Sequence, residues 1–180
     1  MPVRHEIGTT VYETKPNKEG DMKPLTETPS ARRPRLSHEL KMQLKDIMTL
    51  SPITASEETC VAGALKILND RHIHHLPVTR PLSGGGQEVV GIVTERNLLS
   101  ARSVFLGTQM EEPKDTLTLG IHLKGIMVKP VISLPQDAPV KEAVRLMREK
   151  NIGCIPVVEG RALVGIVTGR DMLKVLWEFL

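Results

Sequence analysis

The chain has 180 residues and a formal net charge of +3, from 24 Lys and Arg against 21 Asp and Glu; it can form one compact domain or two small ones with a real core. Its hydrophobic fraction of 40% is ordinary, but only 2% is aromatic, so the core must be built from Val, Ile, Leu, Met and Ala. No apolar run approaches the ~18 residues of a membrane span, the first 15 residues lack the apolar region of a secretory signal, and a pI near 9.0 falls short of the dense basic patch that many phosphate contacts require.

Residues 1–40 are rich in Thr, Pro, Lys and Glu without apolar periodicity, and are expected to form a flexible or loosely docked arm. Within it, SARRPRLSHELK (Ser30–Lys41) reads as a solvated basic linker into a helix near Leu36. Three arginines beside a proline are a weak footprint for nucleic acid or an acidic partner. Cys60 and Cys154 show no metal-ligand spacing and are expected to be reduced thiols of a cytoplasmic protein.

From Leu44 onward the chain repeats itself. LKDIM (Leu44–Met48) aligns with LKGIM (Leu123–Met127) at an offset of 79 positions. At that offset Ile53 falls on Ile132, Val61 on Val140, Ala64 on Ala143, Ile73 on Ile152 and Pro77 on Pro156. The first copy then carries five extra residues, and Gly91 meets Gly165 at an offset of 74. Beyond it VGIVTERNLL answers VGIVTGRDML.

Each copy follows one plan. A short apolar strand, PITAS or VISLP, leads into a helix. The helix carries Val61, Ala64, Leu65 and Leu68 in one copy and Val140, Ala143, Val144 and Met147 in the other. Ser56 or Thr59 is expected to cap the first helix and Asp137 the second. Two strands follow as a hairpin, turning at Glu159-Gly160 in copy two and at a tip enlarged by Ser83–Gly86 in copy one. A last helix begins after each GIVT. Expected boundaries are 41–104 for repeat one, 105–122 for a connector and 123–180 for repeat two. One unit is too small to bury both faces of its sheet, so the fold class is mixed α/β with two β-α-β-β-α units packed through their sheets.

The paired LKxIM starts, LPV and IPV, and GIVTERN and GIVTGRD, repeated in order from about Leu44 to Leu176, resemble a tandem cystathionine β-synthase (CBS) domain pair, or Bateman module. The resemblance implies a pseudo-two-fold axis and up to two clefts between the repeats that bind adenosine-containing ligands such as AMP, ADP or ATP. It also implies disc-like homodimers and a regulatory role toward a protein partner, with no catalysis and no catalytic cofactor.

The family's ribose-binding position falls on Asp171, matched by Asn97 in copy one. On the residues alone, either side chain can cap a helix, and a carboxylate there can instead accept two hydrogen bonds from a ribose diol; the amide lacks the charge. Thr168 and Thr94 precede these helices, where hydroxyls and amide N–H groups suit an anion. The guanidiniums of Arg170 and Arg96 suit phosphate oxygens, and Lys129 could add a phosphate contact. The family's adenine wall falls on Ile132, Ser133, Ile152, Gly153, Cys154, Ile155 and Pro156 in copy two. In copy one it falls on Thr54, His74, His75, Leu76 and Pro77, with Ile53 and Ile73. Gly153, without a Cβ, would let a base approach the backbone.

RHIHHLPV (Arg71–Val78) gathers three histidines. On a strand His72 and His74 would share a face and His75 would oppose them. Zinc needs three or four convergent ligands, and neither cysteine is placed to complete a set. No P-loop, Rossmann fingerprint, nucleophile elbow or HExxH occurs. The competing function is a ligand-independent interaction or nucleic-acid-binding protein that uses the basic arm.

Overall fold

The computed structural model describes residues 42–178; the arm and its basic run lie outside the described residues. The strand-helix-strand-strand-helix plan occurs twice. In the first repeat it runs β2 (Ala55–Ser56), α1 (Val61–Arg71), β3 (His75–Pro81), β4 (Gln87–Thr94) and α2 (Glu95–Ala101). In the second it runs β5 (Leu134–Pro135), α4 (Val140–Lys150), β6 (Cys154–Glu159), β7 (Ala162–Thr168) and α5 (Gly169–Glu178). A further strand, β1 (Thr49–Leu50), precedes the first repeat's plan, and α3 (Pro113–Leu117) lies in the connector.

The strand order is β2-β3-β4-β7-β6-β5, with β1 against β7. In each repeat a short strand lies parallel to the first hairpin strand, Ala55 opposite Val78 and Leu134 opposite Val157. Both hairpins carry an irregularity at the same place, between Val78 and Thr79 and between Val157 and Val158. The halves also meet edge to edge, where Glu88 pairs with Ala162. There Glu88 accepts hydrogen bonds from Arg80 Nε at 2.8 Å in its own repeat and Arg161 Nη2 at 2.7 Å in the other.

Two apolar clusters form, and each borrows from the opposite repeat. Leu44 is fully buried among Ala138, Val140, Ala143, Ile155, Val157 and Val167. Leu123 is fully buried among Val61, Ala64, Leu68, Leu76, Val78 and Val93. Burying each leucine contributes ~2 kcal/mol. The backbone follows the same exchange: Leu44 N donates to Ala138 O and Leu123 N to Thr59 O, both at 2.9 Å. The LKxIM segment of each repeat therefore completes the core of the other.

This exchange corrects the expected helix caps. Cys60 and Pro139 stand at the N-caps of α1 and α4, and neither makes a side-chain cap bond. Instead Val61 N donates to Ile121 O and Val140 N to Met42 O, each at 2.9 Å. The first amide of each helix, one of the donors that has no partner inside the helix, is served by the crossing segment, and no side-chain cap is made.

The first strands are shorter than PITAS and VISLP suggest, two residues each. His72 is not on a strand: it closes α1 in the left-handed conformation at φ 51°, as Asn151 closes α4 at φ 52°. Turn glycine Gly160 has φ +59°, as the hairpin reading requires. The connector is held by Asp115, which is buried and accepts from Ser103 Oγ at 2.6 Å and Glu112 N at 2.8 Å. Among the described residues no helix is long and apolar enough to cross a membrane.

Candidate functional site

In each repeat the strand register gathers three backbone segments at one end of the hairpin. Cys154 pairs with Thr168, and Gly169 N donates to Gly153 O at 3.2 Å. His75 pairs with Thr94, and Glu95 N donates to His74 O at 3.2 Å. The parallel strands β5 and β2 bring Ile132 and Ser133, or Thr54, alongside the start of β6 or β3. The residues named for the base thus lie beside the Thr168–Asp171 and Thr94–Asn97 helix starts within each repeat, whereas Lys129 follows Val128, which bridges to Ile92 of the first repeat.

The helix starts differ in chemistry. Asp171 is buried. Its Oδ2 accepts from Thr168 N at 2.9 Å and Thr168 Oγ1 at 2.8 Å, and among the described residues its Oδ1 meets only Lys174 Nζ, at 3.5 Å. One oxygen fixes the helix start; the other keeps most of its accepting capacity. In copy one Asn97 Oδ1 accepts from Thr94 Oγ1 at 2.7 Å and Thr94 N at 3.1 Å, and Thr94 Oγ1 accepts from Asn97 N at 3.2 Å. This closed capping box consumes the acceptor and leaves a neutral amide N–H pair. Copy two therefore offers an anionic acceptor to a diol, and copy one a donor.

Arg170 and Arg96 are exposed, and among the described residues neither guanidinium has an ion-pair partner. Lys129 lies 3.8 Å from Glu57 of the other repeat. Leu76, Pro77, Ile155 and Pro156 are fully buried, backbone included, so they back the site as core and present no open surface to a ligand. Cys154 is buried, and burial pushes its thiol up to about 12, which keeps it protonated and unsuited to nucleophilic or metal chemistry. Ile152 is half-buried and Gly153 exposed.

Two relationships have no counterpart in sequence reasoning. His74 Nδ1 lies 2.8 Å from Glu95 Oε2, at the start of α2. The imidazole of His75 crosses to the second repeat, its Nε2 2.5 Å from where a Cβ on Gly153 would be. Burial and the adjacent His74 lower the His75 pKa below its ordinary 6.5. Among the described residues no group of three His, Cys, Asp or Glu converges as metal ligands would.

The CBS domain family model matches residues 44–104 and 123–178. A CBS domain-containing protein of Dictyostelium discoideum is 34% identical over 78% of this chain and 95% of its own length. The L-aspartate semialdehyde sulfurtransferase of Methanocaldococcus jannaschii is 32% identical over 73% of this chain but only 22% of its own. Among solved structures, the CBS domain pair of protein MJ0100, in complex with 5′-methylthioadenosine and S-adenosyl-L-methionine, is 29% identical with a TM-score of 0.61, covering 77% of this chain and 98% of that one.

Proposed function

Because the chain belongs to the CBS domain family, we propose that it is a non-catalytic regulatory module which binds an adenine nucleotide, AMP, ADP or ATP, in the cleft of its second repeat. The observation that carries this reading is the Thr168–Asp171 corner. There a buried carboxylate keeps one oxygen available beside exposed Gly153, next to Arg170, whose guanidinium has no ion-pair partner among the described residues. Asp171 takes the ribose diol, Ile132, Ser133, Ile152 and Gly153 seat the base with Cys154, Ile155 and Pro156 behind them, and Thr168, Arg170 and Lys129 face the phosphates. The bound adenosine compounds of the similar CBS pair support the ligand class. The first cleft, with Thr54, His74, His75, Thr94, Arg96 and Asn97, has the same parts but a neutral amide at the ribose position. It binds more weakly.

Ligand across the repeats shifts their relative angle, and a protein partner reads that shift. We assign the protein to the cytoplasm, with Cys60 and Cys154 reduced. Self-association fits α5, whose Leu173, Leu176 and Trp177 are 67%, 51% and 79% exposed on one helical face. Sedimentation of wild type as a dimer and Trp177→Glu as a monomer is expected; a monomeric wild type contradicts that part.

A thermal-shift screen with AMP, ADP, ATP, S-adenosylmethionine and NAD tests the reading. A ligand at a hundred times its dissociation constant adds ~2.7 kcal/mol of stability. Stabilisation by at least one adenine nucleotide is expected. No shift with any of them, together with salt-sensitive nucleic-acid binding by the full chain, contradicts it.

A further inference from the structure

The glycine at position 153 leaves a space that is already taken. His75 Nε2 lies 2.5 Å, and Cε1 3.1 Å, from the point a Cβ on Gly153 would occupy. The ring thus enters edge-first, from the first repeat, where a side chain of the second is missing. The repeat makes this one-sided. At the offset of 79, Gly153 matches His74 and His75 matches Cys154. The first cleft therefore has a side chain where the second has none, and that side chain is turned toward Glu95 at 2.8 Å. The residue matching the crossing ring is a buried cysteine, which has no ring to send back.

We propose that His75 is a plug and a specificity-determining residue of the second cleft, its imidazole holding the face of Gly153 that an adenine ring requires. This rests on the adenosine-binding reading above. A base reaches the Gly153 backbone through the volume the missing Cβ leaves, and two rings cannot share it. Ligands able to displace the imidazole gain that wall; those lacking a planar base do not. Displacement is not prohibitive, because a half-buried neutral imidazole regains water when it swings out. The ionisable groups beside the ring are His74 and, through it, Glu95. The plug thus joins the wall of one cleft to the helix start of the other.

The test is calorimetric titration of the full chain with AMP and, separately, with 5′-methylthioadenosine. It compares wild type, His75→Ala, His75→Asn, Asp171→Ala and the double variant His75→Ala/Asp171→Ala, each first shown to melt cooperatively. With the plug seated in about nine molecules of ten, removing it tightens apparent binding about tenfold. That gain is expected in His75→Ala and in the shorter His75→Asn, and again in the double variant when it is measured against Asp171→Ala, because freeing the cleft multiplies whatever affinity it has. Wild-type binding that depends on Asp171 but is unchanged or weakened by both His75 variants overturns the plug and leaves the adenosine reading standing. No binding of either compound to wild type or to His75→Ala overturns both.

Discussion

The Sδ of Met48 lies 2.5 Å from the position a Cβ on Gly165 would take, and Met127 Cγ lies 2.6 Å from the same point on Gly91. Each methionine ends an LKxIM segment and each glycine lies in the opposite repeat's second hairpin strand, so the crossing segments lock against bare backbone. Met127 Cβ is itself 2.9 Å from that point on Gly91, so Gly91→Ala cannot be accommodated by moving the thioether alone. Overpacking of this kind costs about 1–3 kcal/mol. A urea denaturation series is expected to show that loss for Gly91→Ala, and none from overpacking for Gly125→Ala, where nothing lies within 4 Å.

The exchange also dictates how the chain can be cut. Leu44 is fully buried in the second repeat's cluster, so Leu44→Ala is expected to cost about 2–5 kcal/mol. A fragment of residues 105–180 should lack a cooperative thermal transition by circular dichroism. Adding a peptide of residues 42–50 should restore one. A fragment that melts cooperatively alone would show that the crossing segment is dispensable.

Asp171 has two tasks that substitutions can separate. Asp171→Asn keeps an oxygen for Thr168 N and Oγ1, as Asn97 does for Thr94. It should melt close to wild type, whereas Asp171→Ala loses the cap and about 1 kcal/mol. Differential scanning calorimetry of the pair checks this; equal losses in both would mean that the carboxylate charge, not the cap geometry, holds the helix start.

Acid should act in two windows. The folded state lowers the His75 pKa below 6.5, first by burial and then by the proximity of His74. The unfolded chain therefore binds this proton first as pH falls, and stability drops from about 6.5 downward. His75→Ala should flatten that limb. Asp115 is held below its ordinary 3.8, first by the Ser103 hydroxyl and then by the Glu112 amide. Its contribution is present above 3.8 and lost as pH falls through and below that value. Ser103→Ala should shrink that loss, because it brings the folded-state value back toward 3.8. Melting temperatures across pH 3–8 check both.

Much of this fold is legible in the chain. The repeat of LKxIM, IPV and GIVT fixed the element plan, because short apolar strands and 3.6-residue periodicity leave few alternatives at matched spacing. The exchange is invisible to periodicity, although the chain carries its signal: a methionine and a glycine recur in both copies, Met48 and Gly165 with Met127 and Gly91, and a recurring glycine opposite a recurring large side chain marks a close approach. The helix starts are hidden for the same reason, since backbone supplied by a distant segment leaves no local trace. Periodicity cannot see the His75–Gly153 contact either. It runs between repeats, at positions whose counterparts, Cys154 and His74, have quite different side chains.

The most direct measurement is calorimetric titration of wild type and Asp171→Asn with AMP. Wild type should bind saturably, and Asp171→Asn roughly tenfold or more weakly, because a charge-assisted hydrogen bond contributes about 1.5–3 kcal/mol. Equal binding by the two proteins, or none by a wild type that also ignores ADP, ATP and 5′-methylthioadenosine, would contradict it.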